Sequence, residues 1–304
     1  MKRFIGPVLI LICTLIWGSA FVAQKTGTEH YAPFTLTCYR NLLAGAFLAG
    51  VICIRNRLRS GRVLMARPAT SDRTVLLGGA LSGMVLFAAM ATQQIGLETT
   101  MPGISSFLTA NYLLIVPFLA WLVGKERPKR TVWLGVAFAL AGTYLICVPN
   151  AVREGADGTV GKGELWTLLC AFLFAVQIMV VDRFASRCDV LVFSMTQLFV
   201  AGLCAAPFML LPSEASRMTF AHFKAGWFSL FYVGILSSGV AYTLQNLGQS
   251  RTPPALAAIV MSFESVVGAV SGCLFLGDVL AAVQITGCVL VFTAIVFVSV
   301  SDAR

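Results

Sequence analysis

Two ionisable residues lie deep inside long apolar runs, and chemistry would start with them. Arg40 stands about eight residues into the run 33–54, and Glu264 about ten residues into the run 255–276. At a helical rise of about 1.5 Å per residue, both fall near the middle third of a bilayer. A charge at that depth costs at least about 2.5 kcal/mol, so each needs a function or a partner. Two readings are open. In the first, the pair couples or orients a substrate: Glu264 takes a proton or an ammonium group, and Arg40 takes a carboxylate or Glu264 itself. In the second, the two form a fixed ion pair that pins one helix to another.

Neutral polar residues share that depth. Gln93 and Gln94, Asn111 and Tyr112, Gln177, Gln197, and Gln245 with Asn246 all interrupt apolar runs. Buried amides need hydrogen-bond partners, so these either face a cavity or bridge helices. Trp17, Tyr39, Tyr112 and Tyr242 also sit deep, where they line a pocket or pack a core. Trp121, Trp133, Trp166 and Trp227 lie near run ends and read as interfacial anchors. The candidate substrate or coupling set is therefore Glu264, Arg40, Trp17, Gln93, Asn111, Tyr112, Gln177, Gln245 and Tyr242. His30 and His222 fall in expected outside loops, and no zinc, P-loop, dinucleotide or Gly-x-Ser-x-Gly pattern occurs, so neither metal nor cofactor is expected. The nine cysteines show no metal or redox spacing and read as small apolar packing residues. Gly79-x-x-x-Gly83 and Gly268-x-x-x-Gly272 read as seams for close helix packing.

The elements that position these residues follow from composition. Of 304 residues, 58% are hydrophobic and only 12% charged, about half the charge of a soluble domain. Lipid is the implied solvent. Ten runs of roughly bilayer length stand at 6–24, 33–54, 75–97, 105–124, 131–148, 163–181, 191–211, 226–247, 255–276 and 281–300. The N-terminal run imitates a signal peptide, but it continues past Ala20 and reads as a retained span. With the N-terminus placed in the cytoplasm, sixteen Lys and Arg residues fall in inside segments and five outside. That bias fits an even number of spans with both ends cytoplasmic, and it explains the net charge of +9 without nucleic acid.

The chain also repeats itself. At an offset of 157 residues Leu11-Ile12-Cys13 meets Leu168-Leu169-Cys170. At 152, Gln93 meets Gln245, Gly96 meets Gly248 and Pro102 meets Pro254. The expected fold is all-α and integral to the membrane: ten transmembrane helices as two five-helix repeats, 1–150 and 160–304. An odd span count per repeat inverts the second against the first, an arrangement typical of transporters.

The motifs resemble the drug/metabolite transporter superfamily, in its EamA branch of ten-helix exporters, over essentially the whole chain. Leu15-Ile16-Trp17-Gly18-Ser19-Ala20-Phe21 resembles that family's first helix. Tyr39-Arg40-Asn41-Leu42-Leu43-Ala44 is similar to its second-helix motif. Pro117 through Gly124-Lys125-Glu126-Arg127 resembles the fourth-helix exit signature, and Phe263-Glu264-Ser265 through Leu276-Gly277-Asp278 resembles its second copy. Ser265 stands where the family often has proline, and Asp278 where it usually has glutamate. The resemblance implies a secondary carrier in the inner membrane, usually an exporter of amino acids or related metabolites, without an ATP-binding domain. Small-molecule substrate, protons and lipid are the implied partners; monomer and homodimer both remain open.

Two other classes compete. An intramembrane enzyme on a lipid-linked substrate predicts several acidic or histidine residues clustered at one membrane face, and the sequence shows no such cluster. A non-transporting sensor predicts a sizeable cytoplasmic output segment; after the last run stand only Ser301-Asp302-Ala303-Arg304.

Overall fold

A computed structural model describes residues 4–59, 72–99, 102–123, 127–153, 161–215, 219–276 and 281–303. The described residues are almost entirely helical, with no strand among them. In chain order the helices are α1 (Ile5–His30), α2 (Pro33–Arg59), α3 (Asp72–Thr99), α4 (Pro102–Thr109), α5 (Tyr112–Leu122), α6 (Arg130–Arg153) and α7 (Lys162–Phe184). Then come α8 (Val190–Ala205), α9 (Pro212–Ala215), α10 (Phe220–Phe231), α11 (Ala241–Gln249), α12 (Pro254–Met261), α13 (Phe263–Leu276) and α14 (Ala282–Ala303).

The helices are apolar nearly all round, the signature of segments whose outer face meets lipid. Leu58, Leu122, Leu210, Phe220 and Leu274 are among the large apolar side chains turned outward. The interior, by contrast, holds fully buried amides at Asn41, Gln177, Gln197 and Asn246. Eight helical segments among the described residues are long and apolar enough to cross a membrane. Two further apolar stretches, Ile5–Ala20 and Phe107–Leu122, are shorter.

The principal pairings are α3 with α7 and α8, α6 with α14, α2 with α8, and α1 with α11 and α13. Gly142 and Gly287 bring α6 and α14 together: a Cβ on either glycine would stand 2.6 Å from the other's carbonyl oxygen. The Gly79 and Gly83 seam lies on α8, where added Cβ atoms would meet Thr196 at 2.8 Å and the Gln197 carbonyl at 2.4 Å. The side chain position of Gly272 lies outside the described residues, as do Lys2, Arg3, Gly124-Lys125-Glu126 and Gly277-Asp278.

Three expected continuous spans are interrupted. The run 105–124 breaks at Ala110–Asn111 into α4 and α5. The run 255–276 breaks at Ser262 into α12 and α13, and Ser262 Oγ turns back to the Ile259 carbonyl at 2.7 Å. The run 226–247 keeps its course, but Tyr232–Val240 is wound as a π-helix between α10 and α11. Wider winding re-aims carbonyls and side chains, and such segments concentrate at functional sites. Hydropathy averaged over a bilayer-length run does not register these breaks, because single polar residues such as Asn111 or Glu264 leave the run apolar as a whole.

On the Arg55 side of the fold, Asp189 organises the turn from α7 to α8. Its carboxylate accepts from the backbone N–H of Leu191 at 3.0 Å and Val192 at 3.4 Å, capping α8. It also pairs with Arg55 of α2 at 2.8 Å. At the opposite end, Glu214 of α9 is buried and receives the Phe34 and Thr35 backbone N–H groups at 3.2 and 2.8 Å, closing the first turn of α2.

Candidate functional site

The breaks in α4–α5 and α12–α13 and the π-wound segment converge on one internal cavity of about 70 Å³. One ordered water needs roughly 10–15 Å³ measured this way, so several fit. Every expected site residue except Asn111 lines it: Glu264, Arg40, Trp17, Gln93, Tyr112, Gln177, Gln245 and Tyr242. Asn111 instead turns its amide back onto the last turn of α4, donating to the Phe107 and Leu108 carbonyls at 3.2 and 3.0 Å. It serves the break rather than the cavity.

Glu264 sits in the first turn of α13, directly after the break at Ser262. A helix N-terminus presents positive dipole density, which favours a carboxylate there. No hydrogen bond or ion pair to Glu264 occurs among the described residues, and its side chain faces the cavity. Gly18 makes that position possible. A Cβ on Gly18 would stand 2.9 Å from the Glu264 carbonyl and 2.4 Å from Val267, so only glycine lets α1 pass this close to α13.

Arg40 is buried on α2. Its Nε donates to Ser238 Oγ at 2.9 Å, one terminal nitrogen to Ser237 Oγ at 3.4 Å, and the other to Gln24 Oε1 at 3.3 Å. All three acceptors are neutral. The fixed Arg40–Glu264 ion pair, one of the two readings of the sequence, is therefore not formed; Arg55 and Asp189, by contrast, do pair. The Arg40 guanidinium and the Glu264 carboxyl group face one cavity without bonding each other.

The walls are aromatic and amide. Trp17 donates its indole N–H to the Ser237 carbonyl of the π-wound segment at 3.0 Å, and packs edge-on against Tyr242 with ring centroids 5.0 Å apart. Gln245 donates to Gln177 Oε1 at 3.4 Å, and Gln93 to Thr109 Oγ1 at 3.4 Å. Gln177 Nε2 and Gln245 Oε1 have no protein partner. A buried donor and a buried acceptor are thus left for a ligand or water.

Sequence reasoning missed Gln24, Met90, Thr109, Phe174, Ile178, Ser237 and Met261 on the cavity wall. Gln24 was placed at a span end, and the small or apolar members carry no signal of their own. Other deep polar residues bridge helices instead: Asn246 donates to Ser194 Oγ at 2.9 Å and to Gln197 Oε1 at 2.8 Å. The two histidines lie on helices rather than in loops, His30 ending α1 and His222 in the first turn of α10.

The sequence matches the EamA-like transporter family over residues 4–148 and again over 161–300. The chain belongs to that family. This EamA-like protein is accordingly a multi-pass membrane transporter. It is 23% identical over 299 residues to an "uncharacterized transporter" of Archaeoglobus fulgidus, covering 98% of this chain and 87% of the relative. It is 22% identical to the "uncharacterized inner membrane transporter YedA" of Escherichia coli K12, covering 94% and 87%. A solved crystal structure shares the fold with a TM-score of 0.76 at 18% identity, over 98% of both chains.

Proposed function

We propose that this EamA-like protein is a secondary carrier that exports a small metabolite of the amino-acid type from the cytoplasm by alternating access. The observation that carries the reading is the pair of unbridged ionisable groups, Arg40 and Glu264, facing one membrane-depth cavity. A zwitterion would present its carboxylate to Arg40 and its ammonium group to Glu264. Trp17, Tyr112 and Tyr242 supply flat apolar walls for the side chain, and cations also interact favourably with such ring faces. In the empty cycle Glu264 carries a proton instead, which couples export to the proton gradient.

The inverted-repeat architecture supports the mechanism. Helix α4 starts at Pro102 and α12 at Pro254, an offset of 152 residues. The same offset relates the break at Ala110 to the break at Ser262, Gln93 to Gln245, and Tyr112 to Glu264. Two interrupted helices at matching places, meeting at one site, suit a mechanism in which the halves exchange conformations. The charge bias supports an orientation with both ends in the cytoplasm, and the carrier reading takes the membrane to be the inner one.

The test is efflux from liposomes loaded with labelled amino acids and small amines, with and without a pH gradient, for the parent protein and for Glu264→Gln. Protein-dependent efflux of one class that loses its pH dependence in the variant supports the reading. Efflux with unchanged pH dependence removes Glu264 from coupling, and no efflux of any compound defeats the proposal.

A further inference from the structure

A row of buried polar side chains continues from the cavity along α11. Tyr242, Gln245 and Gln249 lie on one face of α11, and Thr252 follows in the turn after it. The spacings of three, four and three residues stack them along that face. None is more than 4% exposed. The row becomes less satisfied with distance from the cavity. Gln245 donates to Gln177 Oε1 and to Met261 Sδ, whereas both amide atoms of Gln249 and the hydroxyl of Thr252 are buried with no partner. Such orphaned groups keep the desolvation cost of burial with no bond to offset it. A sequence built only for this closed packing would carry leucine there.

What closes the row is a crossing of two glycines. A Cβ on Gly6 of α1 would stand 2.2 Å from Thr252 Oγ1 and 2.9 Å from the Gly248 carbonyl. A Cβ on Gly248 would stand 2.5 Å from Ile10 and 2.9 Å from the Gly6 carbonyl. The N-terminal end of α1 and the C-terminal end of α11 therefore touch backbone to backbone, at the end of the fold that also carries Arg251.

We propose that the row Gln245–Gln249–Thr252 is the shut cytoplasmic half of the transport path, and that the Gly6–Gly248 crossing of α1 on α11 is its gate. In the open state the two helix ends separate, water reaches Gln249 and Thr252, and their unmatched groups are satisfied. In the shut state the glycines allow contact too tight for any ligand to pass. The inference rests on the carrier reading, because it assigns the route to the same cavity.

The test reads access without needing a substrate. A membrane-impermeant cationic methanethiosulfonate is added to either face of sealed vesicles holding Gln249→Cys, with peptide mass spectrometry locating the adduct. The control is Ala294→Cys, equally buried between α14 and α6 in a purely apolar setting. Modification of position 249 from the cytoplasmic face, faster than position 294 by about tenfold or more, is expected. Gly248→Val should speed it further by obstructing closure, and Gly6→Ala provides the same reading should the valine variant fail to fold. Rates at 249 no faster than at 294 from either face, or faster only from the opposite face, would overturn the proposal. Gln249→Leu gives an independent reading: export slows by about tenfold while thermal stability holds or rises, since an apolar side chain suits only the shut state. Unchanged export in that variant also overturns it. Failure of all liposome efflux with normal labelling at 249 would sink the substrate reading and leave a water-accessible path.

Discussion

At the scale of single residues, Arg40 and Trp17 hold the cavity wall to the π-wound segment, and each makes a bond that a conservative change removes. Arg40→Lys keeps the charge but cannot reach Ser237, Ser238 and Gln24 with one planar fork. Export by this variant should fall by about tenfold, with the loss mainly in apparent affinity for carboxylate-bearing substrates over simple amines. An equal loss for both classes would detach Arg40 from the carboxylate. Trp17→Phe keeps the ring packing on Tyr242 and leaves the Ser237 carbonyl without its donor. A cost of about 1–3 kcal/mol is expected, measured as a drop in thermal unfolding temperature in detergent. The sequence marked both residues because charge and indole are conspicuous in an apolar run. It could not mark Ser237 or Thr109, whose roles come from where a helix widens or ends. It also misled at Asn111, whose amide closes a local turn; composition does not reveal whether a polar side chain bonds the preceding turn or a void.

At the scale of elements, the turn from α7 to α8 shows how little charge the fold uses to fix a helix end. Asp189→Ala removes the α8 cap and the Arg55 partner together. The cap alone is worth roughly 1 kcal/mol, and the half-exposed ion pair adds a fraction of that, so a modest fall in unfolding temperature is expected. The same carboxylate acts on its neighbour. Burial first, and Asp189 second, raise the Cys188 thiol above its ordinary pKa, leaving less thiolate at neutral pH. Asp189→Asn takes away the second cause, so maleimide should modify Cys188 faster at pH 8 than in the parent; an unchanged rate would mean burial alone sets the thiol. Periodicity and length located nearly every helix of this kind, since an apolar run bounded by Pro, Gly and charge needs no further information. The interruptions at Ala110–Asn111 and Ser262 and the π-winding over Tyr232–Val240 stayed hidden. A break inside an apolar run is decided by what neighbouring helices press against it, and a single sequence does not state that.

At the scale of the whole molecule, alternating access requires some helix pairs to move against each other and others to travel together. The cavity draws its walls from α1–α5, α7, the π-wound segment, α11, α12 and α13, while α6, α8 and α14 contribute no lining residue. Helices α6 and α14 lie far apart in the sequence, yet they meet with the reciprocal 2.6 Å approaches of Gly142 and Gly287 and share the buried face of Val291 with Ile146. Contact that tight, away from the cavity, behaves as one body: sliding would drive a carbonyl into a backbone, and separation would expose packed surface without opening any path. A cross-link there should therefore be tolerated. The double variant Ile146→Cys with Val291→Cys, which leaves both glycines in place and is bridged in the membrane by a short reducible bifunctional thiol reagent, is expected to retain export within about twofold of its reduced form. The same reagent bridging Ile10→Cys to Thr252→Cys, on either side of the Gly6–Gly248 crossing, should abolish export reversibly, with reductant restoring it. If the α6–α14 cross-link also stopped transport while the reduced protein worked, the moving boundary would run through that pair. The rigid body would then have to be sought in α3 with α7 and α8 instead.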